Sequence, residues 1–311
     1  MFNLRHFLLC ASSALLLSVP SEQSSAAIID FSDMGDANAY IFNDFTGYNN
    51  DSQGPLLIGG DAIFEGYTVG TLSDGNSLVL SVGGDLSVNG GDVNGLASVT
   101  GSTTVTSTNA LRETTSTFAF DQNHFEALST RLSAQNNTSN ATLYSALNLN
   151  TLGGLDTYIT LLPLAQLADF TSVFTTPEAL GSRVVFNISG DVVNLTSKDW
   201  LIKTNDWMQH NESNILFNFY EATSLTINTS LYGSVLAPKA DVFGNGGMIN
   251  GQLIASSFTT GINGGGTQLN RPTFNADTPP STANTVDVNE PTAIALLLAG
   301  LFGIGLRLKK R

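Results

Sequence analysis

The chain has 311 residues, a formal net charge of −14 and only 12% charged side chains. Over residues 28–289 seven Lys and Arg stand against 24 Asp and Glu, a net charge of −17, which speaks against nucleic acid, whose affinity comes from neutralised phosphates, and against docking on anionic lipid by a basic patch. The one cysteine, Cys10, falls in the N-terminal leader, so the body has no thiol for catalysis, metal binding or disulfides.

Residues 1–27 read as a secretory signal: Arg5 and His6 give a short basic start, Phe7 to Val19 is apolar, and Ser25-Ala26-Ala27 offers small residues for cleavage ahead of Ile28. The apolar run is too short for a permanent membrane helix. Residues 39–48, AYIFNDFTGY, alternate like a strand that opens the body.

The stretch from Leu56 to Gly95 then repeats itself at 24 residues. LLIGGDAIFEGYTVG is followed by LSVGGDLSVNGGDVNG, with Gly59-Gly60-Asp61 matching Gly83-Gly84-Asp85, Gly66 matching Gly90 and Val69 matching Val93. Self-similarity at this period marks a repeat architecture. Short parallel strands with Gly and Asp at the corners make an all-β fold, a right-handed β-helix or solenoid. A looser third copy, YGSVLAPKADVFGNGGMINGQLIASSF, ends at Phe258. Copies near both ends of the body predict one solenoid with an insertion between them.

Residues 98–109, SVTGSTTVTSTN, alternate again and are rich in Thr. Thr suits solvent-facing strand positions, and a regular Thr ladder could also order water. From Phe118 to Gln135 the period changes. Asp121 can cap a helix start, and Phe125, Leu128 and Leu132 fall on one helical face with Glu126 and Arg131 outside. The spacing predicts a helix over 122–135 packed along the solenoid. His124 reads as a surface helix residue without a partner at metal-binding spacing. Residues 141–182 fit short helices and strands alike, while 183–195 and 215–227 return to strands. Trp200 and Trp207 bracket a loop, where core packing is the simpler role and stacking on sugars the sharper one.

Residues 275–289 form a polar linker with Pro, Ser and Thr. Glu290-Pro291, the apolar run 293–306, and the basic end with Arg307, Lys309, Lys310 and Arg311 follow. Such a run spans roughly 21 Å as a helix, short of a hydrocarbon core of about 30 Å, so it can engage a bilayer only with thinning and snorkelling. The basic end stays on the cytoplasmic side. A short span after a linker suits a handover signal better than a lifelong anchor.

That tail resembles the PEP-CTERM sorting signal, with Asn289 standing where the box has its first proline. The resemblance implies an exosortase-type processing enzyme at the membrane as partner, a transient membrane helix, removal of the tail, and delivery to the cell surface or extracellular matrix. The body resembles the choice-of-anchor A family over most of residues 39–274. The pieces that carry this are AYIFNDFTG, the two GGD repeats, TFAFDQNHFEAL, VVFNISGD, ILFNFYEATSLTI and GSVLAPKADVFGNGGMINGQLIASSF, in the family's order. The resemblance implies an adhesin-like β-helical body with no catalytic residues to carry over.

The expected function is therefore non-enzymatic, surface-displayed contact with matrix polysaccharide or a neighbouring cell surface. Gly59, Gly60, Gly83 and Gly84 read as structural turns. Asp61, Asp85 and Asp241 read as turn caps, with calcium held by stacked turns as the sharper alternative. No catalytic residue and no cofactor beyond that calcium is expected. The alternative reading is an ice-binding solenoid, which needs Thr rows on successive coils, whereas the sequence shows one such run, with Thr103, Thr104 and Thr106. A third is a polysaccharide-active β-helix enzyme, which needs clustered carboxylates with a cation.

Overall fold

The structure, a computed structural model, describes residues 28–106, 110–116, 118–136, 143–144, 146–149, 156–161, 173–175, 183–195, 210–261 and 264–277. The leader, Trp200, Trp207, residues 278–289 of the linker, Glu290, Pro291 and the basic end all lie outside these residues, as does most of 141–182.

The described body is mostly β with one long helix, and its large parallel sheet is strongly curled into a solenoid-like form. Within each coil the burial alternates, as in Ala62–Glu65 and Leu86–Asn89, where every second side chain enters the core. The two GGD repeats stack in register, Ala62 on Leu86 and Phe64 on Val88, and Val69 bridges Val93 as the 24-residue match predicts. AYIFNDFTGY is not one strand, however. It is two, Ala39–Ile41 and Phe45–Tyr48, because Phe42-Asn43-Asp44 turns the same corner that GGD turns in the next coils.

Three ladders of strands result. One carries α1 (Gln122–Ser133) on its outer side and is called here the helix face. Among the described residues it stacks, from one end to the other, Thr157–Leu161, Val184–Ile188, Ile215–Asn218, the first parts of Ser234–Gly246 and Leu253–Thr260, then Ala39–Ile41, Leu56–Ile58, Leu78–Val82, Leu96–Val99 and Arg112–Glu113. The second, the open face, runs from Val192–Leu195 through Ser224–Asn228 and Phe45–Tyr48 to Thr103–Thr106. The third is short and joins Leu231–Tyr232 to Thr68–Val69.

The stacking order is not the chain order. Ala39–Ile41 pairs on one side with Leu56–Ile58 and on the other with Leu253–Thr260. The N-terminal coils therefore build outward from the middle to one end, α1 carries the chain back, and the C-terminal coils build from the other end to the middle.

Two cores hold this together. The inner one contains Phe45, Phe64, Tyr67 and Phe258, with ring centroids 5.2–5.5 Å apart. The outer one lies under α1, where Phe125, Leu128 and Leu132 are fully buried against Tyr40, Leu216, Leu236 and Ile254. The helix starts as the sequence predicts, with the Asp121 carboxylate accepting the His124 N–H at 3.0 Å. His124 itself is not a free surface residue: its Nε2 donates to the Asp30 carbonyl at 3.0 Å and ties the N-terminal segment to the helix. Beneath the last turns Asn218 donates to Asn187 Oδ1 at 2.8 Å and to the Ser129 carbonyl at 2.9 Å, and Asn187 donates to the Leu132 carbonyl at 2.8 Å. These buried amides are satisfied only when the helix is docked.

The body reaches three residues into the polar linker, to Asp277. Arg183 forms a bidentate pair with Asp156 (2.7 and 2.6 Å) and an ion pair with Asp277 at 3.0 Å. Asp277 also accepts the Ile29 N–H at 2.7 Å, and its own N–H donates to the Ile29 carbonyl at 2.8 Å. Both ends of the body are thus clamped together at the end of the solenoid where Thr157–Leu161 lies.

Candidate contact surface

The corner between the helix face and the open face explains the glycines and aspartates of the repeat. Asp44, Asp61 and Asp85 stack in one column. The Asp44 carboxylate accepts the Asp61 N–H at 2.8 Å, Asp61 accepts the Asp85 N–H at 2.8 Å, and Asp85 accepts the Ser102 N–H at 2.7 Å. Each aspartate caps the neighbouring coil rather than its own turn. The carboxylate reaches its donor by passing over a glycine, since a Cβ on Gly60, Gly84 or Gly101 would overlap the oxygen of Asp44, Asp61 or Asp85. Gly59 and Gly83 serve the close approach of successive backbones: a Cβ on Gly83 would overlap the Gly59 carbonyl. Asp241 continues the column on the far side of the junction, where its Oδ1 accepts the Ser257 hydroxyl at 2.7 Å.

Among the described residues no group of three or more His, Cys, Asp or Glu is arranged to hold a metal ion. The Ser102 N–H bond holds the Asp85 carboxyl below the usual carboxylate range. A group depressed in the folded state adds stability above its unfolded pKa and loses it as pH falls through the folded value. Asn at position 85 can still accept the Ser102 N–H but does not titrate. Asp85→Asn is expected to flatten the fall in melting temperature as pH drops through the aspartate range, about 3.9 when unperturbed. Melting curves of both proteins across that range check it, and equal acid slopes would show that the bond carries no linkage.

Beyond this corner lies the open face, which no helix among the described residues covers. Its outward positions form straight rows because the coils stack in register. The central row reads Asn194, Thr226, Phe243, Thr259, Thr46, Ile63, Ser87 and Thr104. Four threonines from four separate stretches of sequence share it. Phe243 and Ile63 are each 41% exposed in the same row, and Val192 is exposed beside it. The predicted Thr run at 103–106 supplies only the end of this surface.

The signal that could have revealed the row is short. In Asp44-Phe45-Thr46, Ser224-Leu225-Thr226, Ser257-Phe258-Thr259 and Ser102-Thr103-Thr104, a corner Asp or Ser precedes a core position and then a Thr. The corner residue fixes the register, and the alternation puts the Thr outside.

An uncharged row of hydroxyls and apolar side chains is suited to lying against another surface. Among the described residues it carries no paired acid and base. A family model described as "Putative Ice-binding-like adhesive domain" matches residues 30–269. The chain belongs to this ice-binding-like adhesive family. No curated protein and no solved structure matches it. The adhesive domain so defined begins at Asp30, next to the Ile29–Asp277 clamp, and spans both halves of the solenoid and α1. Among the described residues no helix is long and apolar enough to cross a membrane.

Proposed function

We propose that the adhesive domain is exported, handed by its tail to an exosortase-type enzyme, and displayed at the cell surface, where it binds matrix polysaccharide or a neighbouring cell without turning anything over. The body is a right-handed β-helix in this reading, of the choice-of-anchor A kind, and the PEP-CTERM-like tail is its sorting signal. The open face is the observation that supports it. A broad plane with many weak contact points suits avidity, because many displayed copies bind together. Exposed apolar side chains between hydroxyls, as Phe243 and Ile63 stand among the threonines, suit sugar rings, which are apolar on their faces and polar at their edges. The corner carboxylates are each engaged with the next coil, so no catalytic carboxylate is proposed.

Thr46 and Thr259 are adjacent at the centre of the row. Replacing both by Arg raises two long side chains from the plane. Binding of the full chain to immobilised matrix polysaccharide is expected to fall at least tenfold, about 1.4 kcal/mol, with little change in melting temperature. Undiminished binding by the folded double variant would reject the open face as the contact surface.

Ice is the second reading, and the four threonines in one row favour it. The same double variant then loses inhibition of ice growth. Phe243 and Ile63 interrupt the hydroxyl row, which is why the adhesive reading ranks first.

A further inference from the structure

The two ends of the solenoid differ. At one end Arg183 clamps Asp277 beside Ile29, so the chain enters and leaves the body there. The other end, the coil running from Leu96 to Glu113, is roughly 40 Å away, given ten stacked strands on the helix face at about 4.8 Å each. A body held by either terminus stands with this coil as its free tip.

The tip has an open sheet edge. Among the described residues Thr103–Thr106 pairs only with Leu86–Asn89, and Arg112–Glu113 only with Leu96–Val99. The Ser102 and Thr106 carbonyls accept from the Leu86 and Gly90 N–H groups. By the alternation of a parallel ladder, the N–H and C=O of Thr103 and Val105 face away from the sheet. Val99, Val105 and Leu111, which face the core, are only partly buried at this end. Among the described residues none after Glu113 folds back across the tip: Ser116 is bonded to Ser98 on the helix face.

The charge pattern changes at the same coil. The three coils beneath carry Asp44 and Asp51, then Asp61, Glu65 and Asp74, then Asp85 and Asp92. The tip has Ser102 where the column of aspartates would continue, and its only charges, Arg112 and Glu113, cancel. On a body of net charge −17, the tip is the place where a second body of the same charge can approach without repulsion at contact. End-on approach also keeps the two acidic bodies farther apart than a Debye length of about 8 Å over most of their length.

We propose that the tip is a homotypic docking site, at which a second copy of this chain pairs its own Thr103–Thr106 edge antiparallel to the first. A two-fold axis through Thr104 matches Thr103 with Val105 of the second copy and exchanges the outward N–H···O bonds between them. It sets the two Thr104 residues as a directly opposed, non-hydrogen-bonded pair, with Cα atoms about 4.5 Å apart. The open faces of both copies stay free, so this contact is independent of the polysaccharide reading. Its natural setting is two surfaces that each display the protein.

The test uses the full chain coupled to beads through its C-terminal end, with Cys10 replaced by Ser so that introduced thiols are unique. Wild-type beads are expected to cluster, and excess soluble full chain should disperse them. Thr103→Pro removes one outward donor at the first residue of an edge strand, where proline is tolerated, and is expected to cut clustering at least tenfold. Thr104→Cys is expected to give a disulfide-linked pair on mild oxidation, while Thr46→Cys on the open face stays monomeric. Beads that never cluster, or Thr104→Cys crosslinking no faster than Thr46→Cys, would overturn the proposal. Should Thr103→Pro fail to fold, the conservative cysteine pair still decides it. Clustering lost in Thr46→Arg/Thr259→Arg but kept in a folded Thr103→Pro would also count against the tip.

Discussion

Gly84→Val is expected to destabilise the N-terminal half of the solenoid strongly. A Cβ at this position overlaps Asp61 Oδ1 and sits 2.8 Å from the Gly60 carbonyl carbon and oxygen, all of them fixed in the coil beneath. Relief requires the coils to separate, which breaks the Asp61–Asp85 bond of 2.8 Å and the Gly84 N–H bond to Gly60 O, also 2.8 Å. Overpacking alone costs about 1–3 kcal/mol, and the lost bonds add about 1 kcal/mol each. The sum is of the order of 4 kcal/mol, a large share of the stability of an ordinary domain. Gly83→Ala should act likewise, since its Cβ overlaps the Gly59 carbonyl. Asp61→Ala leaves the backbone path open and should cost only about 1 kcal/mol. Urea unfolding of the three variants checks the order. A Gly84→Val protein as stable as wild type would mean that the coils do not stack with this register.

Phe125→Ala should cost about 3–5 kcal/mol. Its ring is fully buried and lies 5.1 Å from Tyr40, 6.0 Å from Phe31 and 6.1 Å from Phe42. These residues come from the N-terminal segment and the central coil, so one side chain secures the helix, the first coil and the clamp side at once. Losing it loosens α1, and that in turn strips partners from Asn187 and Asn218. Glu126→Ala, one position away and partly exposed, should stay within about 0.5 kcal/mol. Calorimetry of both variants separates a packing role from a loss of helix propensity, because the two share a helix and only one shares the core.

Both expectations rest on features that differ in how far the sequence discloses them. The corner at Gly59-Gly60-Asp61 and its copy at Gly83-Gly84-Asp85 were legible because their causes are local. A glycine is needed wherever one backbone crosses closely over another, and the alternation on either side marks which side chains enter the core. The helix was legible for the same kind of reason: Asp121 caps it, and Phe125, Leu128 and Leu132 repeat at its period. What aspartate does at the corner was only half legible. The residue type announced a cap, but the capped N–H belongs to the neighbouring coil, 17 or 24 residues away.

The sequence by itself determined the coil: its corners, its strands, its inward and outward positions, and the helix that had to lie along it. Only the tertiary structure decided the order of the coils. Nothing local says that Ala39–Ile41 should lie between Leu56–Ile58 and Leu253–Thr260, because a parallel strand pairs with any strand of matching burial pattern, whatever the separation in sequence. That long-range choice brings Thr46 beside Thr259 and completes the row on the open face. It also places both ends of the described body at one extremity and leaves Thr103–Thr106, among the described residues, as the free edge at the other. The surface on which function is proposed is thus assembled by stacking, and stacking is settled by core burial across the whole chain rather than by any single segment.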